Sequence, residues 1–181
     1  MSKNGLILLT PTSIDHTGTS ASISANGSVS FTACTVLSLN GVFSADYDNY
    51  MVVCRFTNNT GTSTLNYRMR VSGADNSTAN SYVTQELVAN ATTVLGGPYT
   101  ANVGYLTPSY ATQRAGFVWD VYGPFLAQPT ATRTVSASDF SSAYILDSAS
   151  THNQSTSYDG FTLNRSAGDV SGRIAVYGMR K

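Results

Sequence analysis

The chain has 181 residues and a formal net charge of zero, and only 11% of its residues are charged, against about 25% in an average globular protein. Lysine occurs twice, at Lys3 and Lys181, and glutamate once, at Glu86; helix surfaces normally consume Glu, Lys and Arg, so this composition argues against helices. The zero net charge supplies no long-range field to draw in a nucleic acid or an anionic membrane, whereas Ser, Thr, Asn and Gly between runs of Val and Tyr suit an all-β chain with many turns.

Residues 1–26 read as an N-terminal arm, distinct from a β-sandwich domain over 27–181. Leu6, Ile7, Leu8 and Leu9 form an apolar run that Thr10-Pro11 ends, too short for a membrane span or a signal-peptide core. The chain is therefore expected to be made in a cytoplasm and not exported by the usual route. Four adjacent apolar residues in a strand project to both sides, so one sheet face buries only two of them. The expectation is that this run serves as an attachment or oligomer contact, docked on a neighbouring subunit or a particle. From Ile14 to Gly27 the sequence is a polar tract anchored by Ile23 alone.

Alternation begins at Ser28, with Val29 and Phe31, then Val36, Leu37 and Leu39 before the turn pair Asn40-Gly41. In the next run Tyr50, Val52, Cys54 and Phe56 share one side, and after a polar loop Leu65, Tyr67, Met69 and Val71 alternate with Asn66, Arg68 and Arg70. The loop has the length and composition of a hairpin connection, which predicts that these two strands are antiparallel neighbours. Arg55, Arg68 and Arg70 read as a solvated or subunit-facing side, with a local basic patch as the alternative. Tyr82 to Val88 forms a further strand. Residues 89–114 are the least regular, with Gly96-Gly97-Pro98, Gly104 and Pro108 punctuating Tyr99, Tyr105 and Tyr110. A loop of this length in a compact domain tends to be functional. Its tyrosines either face a ligand, stacking on sugar rings, or fold back over an open sheet edge. Phe117, Trp119 and Val121 mark a core strand, and Thr130–Val135 and Ala143–Leu146 two shorter ones. Gly160–Asn164 and Gly172–Met179 read as a closing hairpin with Phe161 and Leu163 against Ile174 and Val176. The spacing predicts a jelly-roll-like β-sandwich of about eight to ten antiparallel strands.

The sequence gives little support to an enzyme. Asp46, Asp48, Asp120 and Asp159 are acid–base candidates by type only, with Asp48 and Asp159 at turns, where capping is the ordinary role of aspartate. His16 and His152 fall in loop-like sequence and sit in no nucleophile motif. Cys34 and Cys54, in strand-like apolar runs, cannot make a zinc site without histidines to help; they read as buried thiols, with a disulfide as the alternative. Phosphate-loop, dinucleotide-turn and calcium-loop signatures are lacking, so no cofactor, metal or membrane insertion is expected.

The apolar start, the segment Phe31-Thr-Ala-Cys-Thr-Val-Leu-Ser-Leu-Asn-Gly-Val-Phe-Ser-Ala-Asp-Tyr-Asp-Asn-Tyr50, the segment Arg68-Met-Arg-Val-Ser-Gly-Ala-Asp-Asn76, Val121-Tyr-Gly-Pro-Phe125, and the closing Ser157-Tyr-Asp-Gly-Phe161 and Gly172-Arg-Ile-Ala-Val-Tyr-Gly178 together resemble small virion proteins of tailed bacteriophages, of the head-decoration, minor-tail or tail-fibre type. The resemblance spans nearly the whole chain. It implies a jelly-roll-like subunit that assembles as a homotrimer on a phage particle, a capsid decoration or cement protein or a tail appendage, with other capsid or tail proteins as partners. The alternative it implies is a receptor-binding tail-fibre module that recognises host-surface carbohydrate.

Overall fold

Alternating side chains and turn-forming pairs fold this sequence into strands throughout, as the computed structural model shows for residues 5–90, 92–138 and 144–180. The strands are β1 (Leu6–Leu9), β2 (Ser13–Ile23), β3 (Val29–Asn40), β4 (Tyr47–Asn58), β5 (Ser63–Val71), β6 (Ala74–Asp75), β7 (Tyr82–Asn90), β8 (Thr93–Ala101), β9 (Gly104–Ser109), β10 (Arg114–Tyr122), β11 (Thr130–Ser138), β12 (Tyr144–His152), β13 (Gly160–Arg165) and β14 (Val170–Arg180). Their hydrogen-bonded order is β6-β5-β13-β3-β14-β4-β10-β11-β12-β7-β8, with β9 beside β5, β2 beside β3 and β1 beside β14. Every pairing among these strands is antiparallel. Among the described residues fourteen strands form where eight to ten were expected, because the polar tracts over 13–23, 93–101 and 104–109 join the sheet as well.

The sheet curls around one main core. Trp119 is fully buried, its ring centroid 4.5 Å from that of Tyr67 and 5.1 Å from that of Phe161. Tyr50, Val52, Cys54 and Phe56 of β4, Leu65, Tyr67 and Met69 of β5, and Phe161, Leu163, Ile174 and Val176 near the end of the chain all join it. Each of these faces was legible from the period of two. Cys34 and Cys54 are free and buried.

Strand neighbours differ from the sequence expectation. β4 pairs with β10 and β14, and β5 with β13, β6 and β9, so the two runs read as a hairpin are not adjacent. The connection instead runs over the surface to a part of the sheet that β14, β3 and β13 separate from β4. Arg165 fastens that connection, donating from Nη1 to Asn58 Oδ1 at 2.7 Å and from Nη2 to the Gly61 carbonyl at 3.4 Å. β13 and β14 likewise form no ladder with each other; both flank β3, which pairs with β13 from Val36 to Leu39 and with β14 from Val29 to Cys34. A bulge lets one strand serve both neighbours, since an extra residue bends the strand and re-aims its edge. It falls at Ala33, whose φ is +48°, next to Cys34, the partner of Gly18, where a Cβ would run into the Ala33 carbonyl.

Residues 6–23, expected to stand apart as an arm, are strands of the same sheet. β1 pairs with β14 from Leu6 opposite Met179 to Leu9 opposite Val176, and β2 follows β3 from Ser13 opposite Asn40 to Ile23 opposite Val29. Leu9, Ile14 and Ala21 pack against the core. The polar side chains of β2 hid it in the sequence, because edge strands with small polar residues on both faces show no clear alternation.

His152, expected in a loop, ends β12 and is completely buried. Its ring stacks on Tyr82 at 4.0 Å, with Nδ1 3.3 Å from the Ser81 carbonyl and Nε2 2.7 Å from the Tyr158 hydroxyl. A carbonyl only accepts, so Nδ1 carries the proton and Nε2 accepts from Tyr158. Burial lowers the His152 pKa from 6.5 to about 4, so the folded state resists a proton that the unfolded chain takes up. The stability from neutral His152 is fully present above about pH 6.5 and is lost as pH falls toward 4, about 2 kcal/mol of it by pH 5. Urea unfolding at pH 7 and pH 5 is expected to show this loss, and His152→Gln to remove most of it; the same pH dependence in both proteins would refute the assignment.

Candidate functional site

On β11 the usual binary pattern is reversed, and on β12 only in part, since Tyr144 and Leu146 still point inward. Thr130, Thr132, Thr134 and Ser136 alternate inward with Ala131, Arg133, Val135 and Ala137 outward, and Ser148 and Ser150 point inward while Ile145 and Ala149 point outward. Inside, the hydroxyls find partners such as Thr84 Oγ1 with Ser150 Oγ at 2.6 Å and the Tyr67 hydroxyl with Thr132 Oγ1 at 3.3 Å. Outside, cross-strand pairs extend the apolar surface: Val118 lies opposite both Val53 and Val135, and Ile145 opposite Ala137 and Ala89. Val135 is 45% exposed, Ile145 55% and Leu87 57%. One ion pair interrupts the face, Arg133 with Asp147 at 2.6 Å, which holds the Asp147 carboxyl below its ordinary pKa through its hydrogen bond. Surfaces this apolar and contiguous mark interaction sites.

At the far end of the sheet, β8 pairs with β7 alone. Here the three tyrosines singled out in the sequence come near one another, Tyr99 and Tyr105 on strands and Tyr110 in the connection after β9. The rings of Tyr99 (β8) and Tyr105 (β9) stack 5.7 Å apart and 6° from parallel, and Tyr110 meets Tyr144 edge-on at 6.5 Å. Tyr105 packs against a small second core of Val88, Tyr144 and Leu146. Tyr99 remains 47% exposed. Glu86, which the sequence reading passed over, completes the group: its Oε1 accepts from the Tyr99 hydroxyl at 2.8 Å, and its Oε2 is buried without a protein partner. That hydrogen bond and burial raise the Tyr99 pKa, and burial raises the Tyr144 pKa to about 12. The signal for Glu86 was its singularity as the chain's one glutamate.

The other candidates scatter. Leu6 is exposed at the sheet edge, while Ile7, Leu8 and Leu9 are half-buried along β14. Arg55, Arg68 and Arg70 form no common patch: Arg55 faces outward on β4, Arg68 donates to the Asn102 carbonyl, and Arg70 is buried. Asp159 accepts from the Ser72 N–H at 2.9 Å, a turn-holding role. Among the described residues no three His, Cys, Asp or Glu side chains are placed to hold a metal, and no helix is long and apolar enough to cross a membrane.

No family model matches the chain, and no curated protein matches it. Among solved structures it is similar to a protein of unknown function from Shewanella oneidensis MR-1, 9% identical, over 97% of this chain and 80% of that one, with a TM-score of 0.28. It is also similar to the binding domain of botulinum neurotoxin serotype G, 8% identical, over 99% of this chain and 45% of that one, with a TM-score of 0.23. The chain thus spans less than half the length of the toxin chain, and likenesses this weak bear on no functional argument.

Proposed function

We propose that this protein is a structural subunit of a phage-like particle, a capsid decoration or tail appendage, and that it assembles by burying its outer sheet face against neighbouring copies. The observation that carries this reading is the outer face of these strands, where Val135, Ala137 and Ile145 stand exposed while β11 turns its hydroxyls inward. Interface cores are depleted of charge in the same way. A second copy is the favoured occupant because the face carries opposite charge at its two ends, Arg55 and Arg173 at one, and Asp120, Arg133 and Asp147 with one acid in excess at the other. Resemblance to tailed-phage virion proteins supports the particle and implies three copies. Light scattering on the full chain is expected to give a multiple of 19.1 kDa; a mass of one subunit at micromolar concentration refutes self-assembly.

A second reading rests on Tyr99. One face of its ring lies on Tyr105, its exposed surface stands beside the Glu86 carboxylate, and this pairing of aromatic face and acceptor is what a sugar ring needs. If the subunit holds host-surface carbohydrate, Tyr99→Ala lowers binding to host cells about tenfold, the equivalent of about 1.4 kcal/mol; unchanged binding by Tyr99→Ala removes this reading.

A further inference from the structure

Along one edge β14 changes partner, lying beside β3 from Val170 to Ile174 and beside β1 from Val176 to Met179. On the outer face at this handover opens a trough of about 340 Å³, within the size range of small-molecule sites. Val53 and Ala175 are among the residues lining it, with Leu8 and Tyr177, which are cross-strand partners on β1 and β14.

Its charge is all of one sign. Arg55 on β4 and Arg173 on β14 line the trough and are direct cross-strand partners, and no carboxylate lies among the described residues around it. Like charges directly opposite each other destabilise a ladder, so the empty trough carries a repulsion that an anion relieves. Arg173 is also held in place. Its Nε and Nη2 donate to Ser28 Oγ at 2.8 and 2.6 Å, and Nη2 donates to Asn26 Oδ1 at 3.2 Å. Asn26 Oδ1 in turn accepts from the Ser28 N–H and hydroxyl at 3.2 and 2.8 Å, which ties the turn between β2 and β3 to the guanidinium. With Nε and Nη2 so engaged, Arg173 keeps Nη1 for an incoming oxygen, and together with the guanidinium of Arg55 opposite it suits the charge-assisted recognition of a carboxylate or phosphate.

We propose that this trough binds a small oxyanion carried on a ring-sized body, a sugar phosphate or a uronic acid, with Arg55 and Arg173 taking the charged oxygens and Tyr177 with Leu8 taking the apolar face of the ring. This site is argued from its own residues but shares Arg55 and Arg173 with the face proposed for assembly, so the titration is also run on a Val118→Lys, Ile145→Lys variant in which that face cannot assemble. Calorimetric titration of the full chain at low salt, with glucose 1-phosphate, methyl glucuronide, methyl glucoside and inorganic phosphate as probes, tests it. At least one charged sugar is expected to bind saturably, the neutral glucoside not at all, and added salt to weaken binding. Preference for glucose 1-phosphate identifies phosphate as the group recognised, and preference for the glucuronide identifies a carboxylate. Arg55→Gln, at an exposed position where the fold is undisturbed, and Arg173→Gln are each expected to weaken binding at least tenfold, while Arg133→Gln leaves it unchanged. Binding of inorganic phosphate as tight as that of the sugars overturns the ring contact; no saturable anion binding, or full binding by Arg55→Gln, overturns the site.

Discussion

If the outer face is the interface we propose, replacing Val118 and Ile145 together by lysine is expected to leave a folded monomer of about 19 kDa. The two residues lie on β10 and β12, separated by β11, so their substitutions act on the face without meeting each other. In the isolated subunit they are 39% and 55% exposed, and lysine at such positions keeps its stem on the sheet and its ammonium in water. Unfolding temperature should therefore move by only a few degrees. Across an assembled interface the same ammonium groups are buried without partners, at about 2–5 kcal/mol each, enough to weaken association more than a hundredfold. Light scattering and thermal unfolding, run on the same samples, separate the outcomes. An oligomer of unchanged mass would mean that the face is not the interface, and a variant that fails to fold would mean that these side chains belong to the core of the single subunit.

Arg70→Met is expected to cost about 3–5 kcal/mol, the scale for removing one partner of a buried ion pair. Arg70 is 8% exposed and gathers five elements of the sheet. Its Nη1 donates to Asp75 Oδ1 at 2.5 Å, Ser38 Oγ at 3.1 Å and Thr162 Oγ1 at 2.9 Å, its Nε to Asn40 Oδ1 at 2.8 Å, and its Nη2 to the Gly73 carbonyl and to Asp15 Oδ2 at 3.4 Å. Methionine fills a similar volume but leaves Asp75 as a carboxylate with only the Thr162 hydroxyl, at 2.6 Å, still bonded to it. For a chain of this size the loss corresponds to a fall in unfolding temperature of roughly 10 °C. Adding Asp75→Asn should restore part of it, because the stranded charge goes with it; a double variant as destabilised as the two single changes summed would show that the two side chains are not coupled.

Arg70 also shows where sequence reasoning stops. Alternation through Leu65, Tyr67 and Met69 placed these residues correctly in the core and put Arg68 and Arg70 on the opposite side, but that side was read as wet. β6 and β13, flanking β5, bring Asp75 and Thr162 over it, and β13's other neighbour, β3, adds Ser38. Ser38 and Thr162 come from segments far from Arg70 in the chain, and Asp75, five residues on, meets it only because the chain turns back into β6, so no alternation pattern announces them. The tyrosines behaved in the opposite way: Tyr99, Tyr105 and Tyr110 stood out as a set, yet only the pairing of β8 with β7 and of β9 with β5 brings the first two together beside Glu86.

Composition and period determined by themselves that this is an all-β protein, and which side chains of most strands share a face, because a pleated chain turns successive residues to opposite sides whatever lies next to it. Which strand lies beside which was decided by the tertiary structure. β4 and β5 look like a hairpin locally and lie apart in the sheet instead, and residues 1–26 look like an arm of which 6–9 and 13–23 join the sheet. Backbone hydrogen bonds are alike for every pair of strands, so neighbours are chosen by how the whole set of apolar faces closes on one core. The outer face follows from the same rule, since Val135 and Ile145 carry a normal strand pattern and only the folded sheet shows that it points away from the subunit's own core.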